Sequence, residues 1–336
     1  MTKLDTLFPL TFSHSMMQTM WSCELKWFRL YCQRLVSGEA RNPDLIAGGH
    51  FAKACEIVRK AYYNDKISVD NAIDLGYNSI LESEDTGDYV KSNERVALSL
   101  KKYFQRFPLD NNITPIRLAN GEHAIEYTFE FDLGIEHPDI PGTNIKYKGK
   151  LDGLYEKKHQ GNRVSVYVVD EKTTGSVFRL QGTQLIDLVK EENKYKTEGQ
   201  FIGYHWAARQ LGVKTNASLI YKVPIMKEYE PAFCLEVPIN DFMIDIWCST
   251  LHNKIEELKD KYLYYKNEDR LPHYSFYPVL TDSACNSWGR NCAYVEGCKK
   301  KEGEEILGIS FQQQVYDSKA KKSISLKEYK LNKGIK

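Results

Sequence analysis

The stretch Val164-Ser-Val-Tyr-Val-Val-Asp170-Glu-Lys172-Thr-Thr decides the fold of this chain, together with Gly149-Lys-Leu-Asp152-Gly153 just before it. Five of the seven residues from Val164 to Asp170 are β-branched or aromatic, and Gly-Asn and Thr-Thr-Gly bracket the run, which predicts a strand. Side chains alternate along a strand, so Asp170 and Lys172 share one face and Glu171 takes the other. A carboxylate and an ammonium side by side at the end of a buried strand make a poor core and a good metal site with a charged helper. Asp152 lies in a strand-like segment of its own. Two such strands paired antiparallel bring Asp152 beside Asp170, giving two hard oxygen ligands for Mg²⁺ or Mn²⁺ and a lysine within reach.

Outward from these strands the pattern changes. Apolar and aromatic residues at helical spacing predict a helix over 15–36, with further helices over 48–63 and 91–106. Strands follow at 123–133, 145–155 and 163–172, separated by loops rich in Pro, Gly, Asp and Asn. A helix over 192–211, strands at 216–224 and 232–238, and a helix over 240–266 complete the regular elements. The segment 272–300 reads as irregular, and the last thirty or so residues as weakly structured. Helices, then a meander of strands, then helix and strands again describe an α/β chain with a mixed sheet flanked by helices. The blocks are 1–120 (helical), 121–240 (the chemistry-bearing core), 241–300 (a helix and the cysteine-bearing segment) and 301–336 (a basic, flexible tail).

The chain has 336 residues, enough for one large core or a core with a satellite domain. Apolar residues make up 42% of it and mean hydropathy is −0.50, an ordinary soluble balance. No apolar run reaches the length of a membrane span, and the N-terminus lacks a signal-peptide layout, so cytoplasmic residence without membrane attachment is expected. Net charge is +1, which gives no global case for nucleic-acid binding. Residues 318–336, however, hold seven lysines against one glutamate, a local excess that could hold a phosphate backbone or simply solubilise. Eight cysteines in such a protein are not disulfide staples. Cys23, Cys32, Cys55, Cys234 and Cys248 are scattered, whereas Cys285, Cys292 and Cys298 cluster within fourteen residues, which points to a metal.

A D-x-K alone is weak, and a surface ion pair at a strand end is its commoner meaning. Its company strengthens it. Gly199-Gln200-Phe-Ile-Gly-Tyr204 falls on the next helix and puts Gln200 and Tyr204 one turn apart on one face. Gly48-Gly49-His50 opens an earlier helix, where a histidine can face a metal or phosphate. Taken singly, His50 reads as a partly buried histidine and Tyr204 as a packing aromatic.

In that order, His50, Gly149-Lys-Leu-Asp152, Asp170-Glu-Lys172 and Gln200-x-x-x-Tyr204 resemble the RecB-like exonuclease branch of the PD-(D/E)XK nuclease superfamily. The resemblance covers about residues 15–300. It implies a restriction-endonuclease-like core and a metal-dependent DNA exonuclease of recombination, repair, phage DNA processing or defence, acting on DNA with a free end, alone or beside a helicase or recombination partner. It further implies that His50, Asp152, Asp170 and the Glu171 backbone carbonyl bind the metal. Lys172 would then be the catalytic lysine, and Gln200 with Tyr204 would line the DNA entry. Glu126 matches a further acidic position. Pro43-Asp44 and Pro138-Asp139 also spell the "PD" of the superfamily name. The first precedes the helices and the second is a turn, so neither suits a strand-end ligand.

The cysteine cluster is C-x6-C-x5-C, three ligands where most metals ask for four. A subset of RecB-like nucleases, including AddB-type helicase–nucleases and CRISPR-associated exonucleases, looks similar: one cysteine before the core and three after it hold a [4Fe–4S] cluster. By that likeness Cys23 joins Cys285, Cys292 and Cys298, with Cys32 as a substitute for Cys23. The usual spacing is C-x2-C-x5-C, from which this chain departs. Zn²⁺ in the same pocket, or reduced cysteines without metal, are the alternatives, and any metal there would be structural.

Other chemistries fall away. There is no G-x-x-x-x-G-K-[ST], H-E-x-x-H or G-x-S-x-G, and His50 is not followed by the x-Glu of the zinc deaminases. Two rivals to a nuclease stay open: a non-cleaving DNA-binding module with a structural iron–sulfur or zinc site, and a structural metalloprotein in which Asp170 and Lys172 are only an ion pair.

Overall fold

The computed structural model describes residues 4–36, 42–175, 180–181, 184–185, 188–225, 231–268, 272, 275–276, 278, 282–287, 290–299, 311–317 and 322–335. The chain divides into two compact units. One is built from residues 40–129 and 149–248, the other from 1–39, 130–148 and 249–336. The units are interleaved along the chain, so they do not coincide with the consecutive blocks expected from sequence.

The unit made of 40–129 and 149–248 holds the D-x-K strand. Three helices come first: α3 (Pro43–Tyr63), α4 (Val69–Leu81) and α5 (Asn93–Arg106). Asn42 caps α3 by accepting the Asp44 N–H at 3.0 Å, and Pro43 occupies the first helical position. Pro43-Asp44 therefore opens a helix rather than preceding one. Helix α4 was not expected. Its buried residues Ala72, Gly76 and Ile80 repeat every four positions, and a Cβ at Gly76 would sit 2.4 Å from Val58, so the glycine permits close packing on α3.

Strand β3 (Ile113–Pro115) and the starts of β4 (Ile125–Glu136) follow, then the second half of β5 (Asn144–Lys158), β6 (Val164–Thr174), β9 (Ala217–Pro224) and β10 (Phe233–Pro238). The order is β5-β6-β9-β10, with β3 and β4 on β5. β5–β6 and β9–β10 are antiparallel and β6–β9 is parallel, making the sheet mixed. The parallel crossover runs through α6 (Leu188–Lys196) and α7 (Gly199–Gln210), two helices where one continuous helix was expected. Tyr167, Val169, Leu219, Tyr221 and Val223 join the core beneath α3–α5, whereas Ser218 on the opposite face meets α7. Helices thus cover both faces of a central mixed sheet, the α/β architecture expected.

His205 on α7 is fully enclosed, its ring nitrogens 2.5 Å from Thr215 Oγ1 and 2.9 Å from Ser218 Oγ. Burial lowers its pKa from 6.5 to about 3. The unfolded chain therefore takes up a proton below pH ~6.5 that the folded chain refuses until pH ~3. His205 stabilises fully above pH ~6.5, and that contribution is lost as pH falls toward ~3. From pH 7 to 5, wild type should lose about 2 kcal/mol of unfolding free energy relative to His205→Gln, measured by denaturant titration at each pH.

In the other unit, β1 (Thr11–Phe12) pairs parallel with the start of β5 through Thr11↔Lys146 and Phe12↔Tyr147. The expected helix over 15–36 is broken. α1 (His14–Ser22) stops at Cys23, which is extended (φ −162°), and α2 (Glu24–Trp27) restarts with the Cys23 thiol accepting the Lys26 N–H at 3.4 Å. A wider turn over Phe28–Cys32 then buries Arg29. α8 (Asp241–Asn267) begins in the first unit and continues here, its Lys254 and Lys261 reaching Glu24 at 2.5 and 2.7 Å. Asp139 accepts from Phe8 N (2.9 Å), Tyr262 OH (2.8 Å) and Lys266 Nζ (2.6 Å), a structural anchor rather than a ligand. Among the described residues of the segment read as a flexible tail, Gln312–Asp317 pairs antiparallel with Lys322–Ser325 and with β2 (Leu35–Val36), and the helix Leu326–Asn332 follows, with Lys330 2.5 Å from Asp5. Among the described residues no helix is long and apolar enough to cross a membrane.

Candidate active site

The β5–β6 register runs from Lys158↔Val164 to Gly153↔Val169, so the next pair in step is Asp152 opposite Asp170. There the ladder ends and Asp152 turns to side-chain bonding, its Oδ2 accepting the Glu171 N–H at 2.9 Å. Asp170 is buried. Lys172 Nζ lies 2.9 Å from each Asp170 oxygen and donates at 3.2 Å to Gln200 Oε1. Gln200 Nε2 donates to Tyr204 OH at 2.8 Å and, at 3.4 Å, to Asp170 Oδ1. The structure thus brings Asp152, Asp170, Lys172, Gln200 and Tyr204 together from β5, β6 and α7.

Alternation sends Glu171 to the far face, beneath α3 and α5. Its carboxylate pairs there with the buried Arg59 and accepts from Tyr103 OH at 2.9 Å. That pair holds β6 against the helices and leaves the Glu171 carbonyl in the backbone beside Asp152. Glu126 is also buried, adopts φ 52° and meets Lys150 at 2.5 Å, with its Oε1 lacking a hydrogen bond. A non-glycine residue in the left-handed region is uncommon and costs on the order of 1 kcal/mol, a strain of the kind found at functional sites.

His50 lies in the second turn of α3, two residues from Gly48, where an added Cβ would stand 3.2 Å from Thr173 Oγ1. Its Nδ1 is buried without a hydrogen-bond partner. Among the described residues, no three His, Cys, Asp or Glu side chains close on a point as metal ligands, so His50 is not joined to Asp152 and Asp170 in such a group.

The electrostatics are lopsided. Burial, then Asp170, Glu171 and Glu126, push the Asp152 carboxyl well above the usual range, with Lys172 opposing. Burial raises Asp170 as well, again against Lys172. Burial disfavours the Lys172 ammonium, but Asp170 and Asp152 beside it prevail and hold its pKa up. One ammonium cannot neutralise two neighbouring carboxylates, one buried and one half-buried, so the site favours a further cation or protons. Mg²⁺ typically takes one or two protein carboxylates and keeps several waters, so two aspartates without a third side-chain ligand fit a hard divalent ion.

Two neighbours were missed from sequence. Glu198, just before α7, has its carboxyl raised by burial against the opposing charges of Lys172, Lys194 and Lys222. Lys222 stands opposite Lys172 in the β6–β9 register. Nothing in the local sequence marks either residue, because both acquire their place from strand pairing and the crossover.

Cys23, Cys32, Cys285, Cys292 and Cys298 lie in the other unit. Cys292 N donates to Cys285 O at 2.6 Å across the small hairpin Asn286–Ser287 and Arg290–Asn291. Cys298 ends the helix Val295–Cys298, and its thiol accepts from Arg29 Nη1 at 3.1 Å. Burial raises the Cys298 thiol, Arg29 opposes, and Cys23 and Cys292 add to the rise. Cys32 is enclosed instead near Arg34 and Asp139. The four sulfurs do not form a closed metal-binding group.

No protein-family model matches this chain, and no curated protein matches it. Solved structures do, among them one from Eubacterium rectale named "Putative exonuclease", at 13% identity over 74% of this chain and 80% of that chain, with a TM-score of 0.39. A likeness of that depth decides nothing about chemistry, which rests on the side chains.

Proposed function

We propose that this chain is a divalent-metal-dependent deoxyribonuclease that degrades DNA from an end, as a RecB-like member of the PD-(D/E)XK nucleases. The observation that supports this most is the meeting of Asp152 and Asp170 at the end of a strand pair, with Lys172 bonded to Asp170 and Gln200. Asp152, Asp170 and the Glu171 carbonyl would hold Mg²⁺ or Mn²⁺, with His50 and Glu126 as candidates to complete the set. When bound, the ion supplies Lewis acidity to the phosphate and lowers the pKa of water. Lys172 presents positive charge where the phosphate gains negative charge, and Asp170 fixes its direction. Gln200, tied to Lys172 and to Tyr204, keeps the ammonium from swinging away and offers polar edges to the nucleic acid.

Cys23, Cys285, Cys292 and Cys298 are proposed to hold a structural [4Fe–4S] cluster, with Zn²⁺ as the alternative occupant. The guanidinium N–H that Arg29 donates to the Cys298 sulfur, against the burial that raises that thiol, supports a site for negative sulfur there.

End-labelled linear DNA and closed circular DNA, incubated with Mn²⁺ or Mg²⁺, test the function. Degradation of linear DNA alone, stopped by EDTA, is expected. Cutting of circles as well would make the enzyme an endonuclease, and DNA binding without any cutting would favour the non-cleaving module.

A further inference from the structure

We infer that Lys222 is a second phosphate-binding residue, which grips the DNA backbone one phosphate away from the bond served by Lys172. The inference rests on the nuclease reading above and adds a substrate contact to the same face of the sheet.

Lys172 and Lys222 are direct partners in the parallel β6–β9 pair, so their side chains leave the same face from strands about 4.8 Å apart. Like charges that close repel, and the local architecture keeps them apart. Lys172 Nζ lies over the Phe201 ring at 5.5 Å, and Lys222 Nζ over the Tyr195 ring at 5.3 Å. The two rings meet edge to face, with centroids 5.4 Å apart and planes at 90°. Each ammonium thus has its own aromatic floor, and the pair of rings acts as a spacer.

The remaining partners are also parallel. Lys172 donates to Asp170 and Gln200, and Lys222 donates to Glu191 Oε2 at 3.1 Å and Tyr195 OH at 2.9 Å. An ammonium has three N–H donors: Lys172 faces both Asp170 oxygens and Gln200, whereas Lys222 meets two acceptors among the described residues, Glu191 and Tyr195, and keeps a third donor for a phosphate. The Lys222 side chain is 15% exposed and the Glu191 side chain 35%. A carboxylate that open to water can exchange its place at the ammonium for a phosphate. Two ammoniums side by side on one face of the sheet, the outer one with a donor to spare, present a short positive track suited to successive phosphates of one strand.

The bland alternative is a latch in which Lys222 only ties α6 to β9. Anisotropy titrations of a fluorescent single-stranded oligonucleotide separate the two, run on the full chain in EDTA between about 50 and 200 mM salt. If Lys222 grips a phosphate, Lys222→Met weakens binding and reduces the slope of log K against log salt by about 0.7, while Glu191→Gln keeps or improves affinity by removing a competing anion. A slope unchanged in Lys222→Met overturns the inference, as does an equal loss in Glu191→Gln, the signature of a latch. A wild type that binds no DNA overturns both this inference and the nuclease reading. A wild type that binds but never cuts, with the slope reduced in Lys222→Met, removes the nuclease reading and leaves the phosphate contact standing.

Discussion

Lys172→Ala should lower DNA cleavage on the order of 10²–10⁴-fold, with the fold intact. A loss of that size corresponds to about 3–5 kcal/mol of transition-state stabilisation. It is large because the ammonium is fixed before the substrate arrives: Asp170 takes it at 2.9 Å and Gln200 at 3.2 Å, so no reorganisation is left for the reaction step. Lys172→Arg should not restore activity, because a planar guanidinium is larger and cannot occupy the slot beneath Gln200 and over Phe201 as a point charge. Single-turnover rates on end-labelled DNA check this, with circular dichroism confirming the fold. An alanine variant within a few-fold of wild type would reduce the D-x-K to an ion pair.

Arg59→Met should cost about 3–5 kcal/mol of stability, the largest loss expected from a single residue remote from the chemistry. Arg59 and Glu171 are both buried, and Tyr103 bonds to each, with Arg59 Nη2 donating to Tyr103 OH at 3.2 Å. Removing the guanidinium leaves the Glu171 carboxylate enclosed without a counter-charge, on the face of β6 opposite Asp170 and Lys172. The double variant Arg59→Met/Glu171→Leu should recover most of that loss, since an apolar pair of similar volume removes the stranded charge. Denaturant midpoints of the two single variants and the double variant measure it. A double variant as unstable as the arginine variant alone would show that packing, not charge, was lost.

The Glu171 pair also explains where sequence reading succeeds. The period of two in Val164–Thr174 separates Asp170 and Lys172 from Glu171, and the structure keeps that separation. The helix bearing Gln200 and Tyr204 is equally legible, because spacing of four on a helix fixes a shared face whatever the tertiary surroundings. What stayed hidden depends on pairing between distant segments. Lys222 looks like any alternating strand residue until the parallel register sets it against Lys172. α4 was missed because two of the three residues of its buried stripe, Ala72 and Gly76, are small and make a weak apolar face beside Ile80. The break at Cys23 is invisible in a periodic run of apolar residues, since a thiol capping the next helix has no strong sequence signature. The basic C-terminal segment reads as solvated by composition, yet Gln313 and Lys330 tie it to residues 5 and 33.

The central claim is that Asp152 and Asp170 are set side by side to hold a divalent ion. Titration of Mn²⁺ into wild type and Asp152→Asn, followed by calorimetry in metal-free buffer, tests it most directly. Saturable Mn²⁺ binding in wild type that disappears in Asp152→Asn is the predicted result. Equal binding in both proteins, or none in wild type, would contradict it.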